Sequence, residues 1–169
     1  MLDLIAFSVL FPKEGDLGSF YLPPMPEGIL SNGPYHMVDL LCQDYMCDCH
    51  KVSIIITDEA RKSILATVAY GWKSKSYYCR WGLDKDTAES LTSGFLDPWC
   101  VQTVHSPYFL SFIRRKIKRD PTFINQIKKR YRIFKDQVDS PLFAPVVFPS
   151  PTLPENVVVP LHAYRRARG

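Results

Sequence analysis

The chain has 169 residues, 46% of them apolar and 13% aromatic, and a formal net charge of +4. That length allows one domain with a buried core, and that composition excludes a disordered chain, which has fewer aromatics and more net charge. The charge is unevenly spread: residues 1–105 balance to −5, residues 106–135 carry ten Lys/Arg against the single acid Asp120, and residues 136–169 are neutral.

The first apolar run, Leu4 to Phe11, fits a strand or a short buried helix, and periodicity does not separate them. It does not read as a signal peptide: Asp3 precedes it, no Lys or Arg does, and Pro12-Lys13-Glu14 is a poor cleavage site. No apolar run reaches the roughly 18–20 residues of a membrane span. A soluble cytoplasmic protein is expected. An odd number of cysteines, five, also argues against a secreted disulfide framework.

Residues 12–34 are rich in Gly and Pro and predict an irregular segment, with a short strand at Phe20–Leu22. Tyr35–Cys42 is strand-like. Lys51–Thr57 and Ser63–Trp72 follow as two strands joined by the polar turn Asp58-Glu59-Ala60-Arg61. Both faces of this hairpin are apolar, which places it centrally in an antiparallel sheet of three to five strands. Ser76–Trp81, rich in aromatics, predicts one more strand. Asp84–Thr92 predicts a short helix capped by Asp84 or Asp86.

Two longer helices carry clear start signals. Ser106-Pro107 and Asp120-Pro121 each supply a capping residue and a proline at the first helical position. The first helix runs to about Arg119 and the second to about Val138. In the second, Ile124, Ile127, Tyr131, Phe134 and Val138 recur at helical spacing and face a core. From Ser140 onward six prolines break any helix or central strand. The Val-rich pieces 146–148 and 157–159 lie between them, suited to a partner's sheet edge or to wrapping back over the domain.

The most distinctive motif is LCQDYMCDCHK, in which Cys42, Cys47, Cys49 and His50 fall within nine residues. Zinc favours thiolate and imidazole ligands in a tetrahedron. Cys-x4-Cys lets a loop fold back, and Cys-x-Cys places two sulfurs on one side of an extended segment. The metal-ligand set read from this is Cys42, Cys47, Cys49 and Cys100. The fourth position is the open one. Cys100 ranks first for it, then His105, then Cys79 or His50. His50 is adjacent to Cys49 and its ring should point away from the metal. Asp44 and Asp48 are less zinc-like. The bland alternatives are buried core cysteines or a redox role. Four protein ligands make the metal structural; three leave room for water and for catalysis.

The stretch 35–72, read as VDLLCQDYMCDC, KVSIIIT and ILATVAYGW, resembles a family of small uncharacterised bacterial proteins. These have a hydrophobic strand, Cys-x4-Cys-Asp-Cys, and two strands ending in an Ala-Tyr-Gly-Trp-like run. The resemblance implies a metal-associated α+β domain and carries no activity with it.

Arg114, Arg115, Lys116, Lys118 and Arg119 fall in the first long helix, and Lys128, Lys129, Arg130, Arg132 and Lys135 in the second. Away from the apolar stripe, the second set should face outward. A surface with this many cations and almost no acids suits phosphate contacts. The nucleic-acid-binding candidates are Arg114, Arg115, Lys118, Lys128, Lys129 and Arg132. The same face also suits an acidic protein partner, a solvated surface, or compensation by the acidic amino-terminal part of the chain. Phosphate-cradling glycine loops, a nucleophile elbow and a His-Glu-x-x-His pair are all absent from the sequence.

The expected architecture is a single α+β domain over residues 1–139. An antiparallel sheet carries a zinc knuckle, and two C-terminal helices pack on it. An extended Pro-rich C-terminal arm follows over 140–169. The expected function is a non-catalytic, zinc-stabilised binding module that contacts nucleic acid or a nucleoprotein complex through the basic helices 106–135. The alternatives are a metal-dependent hydrolase with an open zinc position and a structural subunit that binds an acidic protein.

Overall fold

The computed structural model describes residues 4–21, 30, 34–58 and 63–143. The proline-rich arm, apart from its first residues, and the turn 59–62 lie outside the described residues. Leu4–Ala6 forms β1 and passes directly into a one-turn helix α1, Phe7–Leu10, so the first apolar run is both strand and helix. Then come β2 (Gly18–Phe20), β3 (Tyr35–Cys42), β4 (Lys51–Asp58) and β5 (Ser63–Gly71). Helices α2 (Lys75–Arg80) and α3 (Lys85–Ser93) precede the short strand β6 (Phe95–Leu96). Helices α4 (Ser106–Arg119) and α5 (Pro121–Val138) complete the described chain.

The strands form one antiparallel α+β sheet of six strands in the order β1-β3-β4-β5-β6, with β2 also paired to β3. β1 and β2 share one edge of β3: β1 meets its Leu40–Cys42 end and β2 its Tyr35–Met37 end. The registers align Met37 with Ile56 and Ala66, Asp39 with Ile54 and Val68, and Val52 with Tyr70. Side chains alternate along a strand, so these rows share one face. That face packs into a single core with Phe109 and Ile113 of α4 and Ile127, Phe134 and Val138 of α5. Each large apolar side chain fully buried here contributes about 1.5–3 kcal/mol. The opposite face, at Ala69, carries a smaller cluster with Tyr78, Ala88 and Leu91 under α2 and α3.

Asp39 sits in the middle of the apolar rows and is 1% exposed. Its partner is Arg130 of α5, which donates to both carboxylate oxygens at 2.8 Å and also to the Gly15 carbonyl at 2.7 Å. The guanidinium lies 3.9 Å from the centroid of the Phe7 ring. Burial pushes the Asp39 carboxyl above the usual carboxylate range, and Arg130 pulls it back only in part. Desolvation therefore outweighs the attraction within the pair.

Three local readings are corrected. Ser76–Trp81 is helix α2, not a strand: the Ser74 hydroxyl accepts from Tyr77 N at 3.2 Å and caps it. The aromatic content suggested a strand, and the cap with the burial of Tyr78 prevails. Gly71 has its own reason to be glycine, because a Cβ there would overlap the Tyr78 phenol. Second, Ser106 does not cap α4; His105 holds that position and Ser106 is the first helical residue. The Ser106 hydroxyl instead donates to Leu65 O at 2.9 Å. With Thr103 and Gln102, which donate to Leu65 O and Thr67 O, it covers the part of the β5 edge that β6 leaves open. Third, Arg130 and Lys135 are buried rather than outward. Asp120 does cap α5, accepting from Phe123 N at 3.0 Å.

Candidate metal centre

The loop 43–50 joins β3 to β4 and carries the cysteine motif. Met46 and His50 have φ of 58° and 46°, in the left-handed region that costs a non-glycine residue about 1–3 kcal/mol. These two turns bracket Cys47 and Cys49 and fold the loop back toward the end of β3. As a result the sulfurs of Cys42, Cys47 and Cys49 all lie within 4.8 Å of one another. Bonds of about 2.3 Å in a tetrahedron put sulfurs roughly 3.8 Å apart, so closure onto an ion needs only a small contraction. Cys42 and Cys49 are buried and Cys47 half-buried. The three cysteines can hold a metal ion.

The three thiols are unequally held. A hydrogen bond from Cys42 lowers the Cys49 thiol despite its burial. The same bond is the main cause that raises Cys42, followed by burial. Burial raises Cys47. Of the three thiols, Cys49 is thus the one whose ionised form the protein supports most. A bound dication would favour the thiolate form of all three, because a metal ligates the deprotonated sulfur.

Residues of two helices and their C-caps hold this loop. On α5, residues four apart act in turn. The Tyr131 hydroxyl lies 3.4 Å from both Cys47 O and His50 N. Lys135 Nζ donates to Asp44 O at 2.8 Å, and Asp139 accepts from Met46 N at 2.8 Å. On α2, Tyr77 donates to Asp48 O at 2.6 Å and Trp81 Nε1 to the Asp48 carboxylate at 3.3 Å. The adjacent Tyr78 donates to His50 O at 2.7 Å. Burial pushes the Tyr77 phenol up to about 12, so it remains a donor at any working pH. The clamp residues were not singled out from the sequence. The spacing Tyr77–Trp81 and Tyr131–Lys135–Asp139 is their signal, since residues four apart share a helix face.

None of the other ligand candidates joins the three sulfurs in that mutual cluster. Among the described residues the cluster contains only Cys42, Cys47 and Cys49. Cys100 closes the turn after β6, where its N–H donates to Asp97 O at 3.2 Å. His105 holds the N-cap position of α4 without a side-chain cap, and Cys79 packs in the small cluster with Tyr78. The His50 ring faces Trp72, Tyr77 and Tyr131, with centroids 6.0, 5.8 and 5.3 Å away. The Asp44 carboxylate accepts from the Cys42 thiol at 3.4 Å.

The basic residues divide into two sets. Arg114 Nε donates to Gly94 O at 2.9 Å. Lys116 pairs with Asp120 and Lys135 with Asp139, each at 3.0 Å, and Arg130 pairs with Asp39. Arg115, Lys118, Arg119, Lys128, Lys129 and Arg132 make no ion pair with a described residue. All but the half-buried Lys128 are exposed. Lys128 and Arg132 line a cleft of about 360 Å³ together with His50, Trp72, Lys73 and Tyr131. Tyr131 and His50 thus belong both to the cleft and to the support of the cysteine loop.

Fold and site together define an α+β protein built on an antiparallel sheet, with a three-cysteine cluster able to hold a metal ion. Comparison with protein-family models, with curated proteins and with solved structures finds no match. Among the described residues no helix is long and apolar enough to cross a membrane.

Proposed function

We propose that this chain is a non-catalytic binding module, stabilised by zinc, that contacts nucleic acid through the outward cations of α4 and α5. The observation that carries this reading is the division of the basic residues. Internal partners meet Arg114, Lys116, Arg130 and Lys135, while Arg115, Lys118, Arg119, Lys128, Lys129 and Arg132 make no ion pair with a described residue. So many unneutralised charges on two adjacent helices repel one another unless an anionic partner meets them. A phosphate backbone supplies evenly spaced negative charge, and helices deliver Lys and Arg to it from a rigid frame. Of the metals, zinc suits a compact thiolate set. Its role is to hold the loop that α5 rests on.

Replacing the exposed Arg115, Lys118, Lys129 and Arg132 together by Glu is expected to weaken binding of a 20-nucleotide single strand by about 100-fold or more at 100 mM salt. The urea midpoint should shift little, because exposed substitutions usually change stability by about 0.5 kcal/mol or less. Fluorescence anisotropy measures the first and circular dichroism the second. A loss of affinity below about three-fold would remove these helices as the binding surface.

One observation favours a second reading, a metal-dependent hydrolase. Three thiolate ligands leave one tetrahedral position for water or substrate. Its weakness is the general base. Hydrogen bonds from Tyr77 and Trp81 hold the Asp48 carboxyl below the usual carboxylate range, which makes it a poor proton acceptor. Turnover of an activated phosphodiester by the zinc-loaded protein, lost in Cys47→Ser, would favour this reading over the first.

A further inference from the structure

The cleft beside the cysteine loop combines two chemistries. Trp72, His50 and Tyr131 supply rings, and Lys73, Lys128 and Arg132 supply charge; no carboxylate of a described residue lines it. None of those three cations forms an ion pair with a described residue, although Lys73 lies 5.7 Å from the Tyr77 ring centroid. The rings are held at fixed angles. Trp72 stands edge-on to Tyr131 with centroids 4.9 Å apart at 78°. Tyr131 in turn is fixed by its hydroxyl, beside Cys47 O and His50 N. Tyr131 is 5% exposed and forms the floor, whereas Trp72 and His50 are half-buried and form the walls. The volume of about 360 Å³ lies at the small end of the range for ligand sites, about 300–1,000 Å³.

From this we infer that the cleft takes one unpaired nucleotide of a single strand, its base stacked on Trp72 with its edge toward the His50 ring, which stands at 74° to the indole, and its phosphate met by Lys73, Lys128 and Arg132. The inference rests on the nucleic-acid reading above and adds which form of nucleic acid is bound. A planar ring and a negative charge on one ligand answer both chemistries of the cleft. In a duplex the base faces are already stacked and only their edges are accessible, so a concave aromatic site is reached by a base outside the stack. The remaining outward cations, Arg115, Lys118, Arg119 and Lys129, are then available to the backbone on either side of that nucleotide. Nothing in the lining is arranged to read a particular base, so the selectivity is for single-strandedness rather than for sequence.

The experiment compares a labelled 12-nucleotide single strand, as DNA and as RNA, with a blunt duplex of the same sequence and with free AMP and UMP. The zinc-loaded full chain is used throughout. The single strand is expected to bind about 10-fold or more tightly than the duplex and to quench tryptophan emission. Stacking on an aromatic contributes about 5- to 150-fold per base, so Trp72→Ala should weaken single-strand binding by at least about 5-fold. Trp72→Phe should retain most of the affinity and lose the quench. Because Trp72 also packs on Tyr131, Lys73→Glu at the exposed rim probes the cleft without disturbing that packing. It should weaken single-strand binding several-fold. Equal affinity for strand and duplex, with no quench and no effect of Lys73→Glu, would overturn the cleft assignment while leaving the nucleic-acid reading standing. No binding of either form at low salt would remove both. Binding of AMP or UMP as tight as the strand would make a free nucleotide the ligand and overturn the strand.

Discussion

Asp39→Ala is expected to destabilise the protein by about 3–5 kcal/mol, the loss found when one partner of a buried ion pair is removed. The remaining Arg130 is buried against Phe7 and keeps only the Gly15 carbonyl as an acceptor. Urea denaturation measures the effect as a lower midpoint with an unchanged slope. The companion variant gives the sharper reading. Asp39→Leu combined with Arg130→Met removes both charges and should be close to neutral, because burial already opposes the Asp39 charge more than Arg130 supports it. A loss below about 1 kcal/mol in Asp39→Ala would show that water reaches this pair and that α5 is not seated on the sheet as described.

Loss of the metal should have the second large effect. Elemental analysis of protein purified under reducing conditions is expected to find about one zinc per chain. A content below a tenth of that would refute the metal site. A metal present at about 1,000 times its dissociation constant stabilises the folded state by about 4 kcal/mol. Chelation, or Cys49→Ser, should therefore lower the melting temperature by about 8–16 °C for a chain of this size. The loss should be local before it is global. Met46 and His50 N–H face Asp139 and Tyr131 of α5, and their hydrogen exchange should accelerate on chelation while that of β4 and β5 remains slow. Uniform acceleration across the sheet would mean that the metal supports the core rather than the loop. Unchanged exchange at Met46 and His50 would mean that the loop needs no metal at all.

Much of the fold was legible because two periodicities are strong in this chain. Alternation marks β4 and β5 to within one residue of their ends. Asp120-Pro121 marks the start of α5, and its apolar stripe marks the face that is buried. Helix α2 was illegible by composition, since Tyr77, Tyr78 and Trp81 favour strands, and the Ser74 cap is a single-residue signal. The cysteine trio was legible because its three members are local in sequence. The remaining parts of the site are not. The clamps pair residues up to 93 apart, as Met46 with Asp139, and no local pattern announces a contact of that separation. The basic helices show the same limit. Charge counting finds ten cations on 106–135 and does not say which are consumed internally. Asp39, isolated in an apolar strand, was the hint that one of them would be, because a carboxylate at a core position needs a cation from elsewhere.

The measurement closest to the central proposal is the affinity of the zinc-loaded protein for a single-stranded 20-mer between 50 and 200 mM salt. With about four phosphates met by Lys and Arg, log affinity should fall with log salt at a slope of about −3, or roughly 50-fold across that interval. A slope near zero, or no detectable binding at 50 mM salt, would contradict the assignment of α4 and α5 as a nucleic-acid surface.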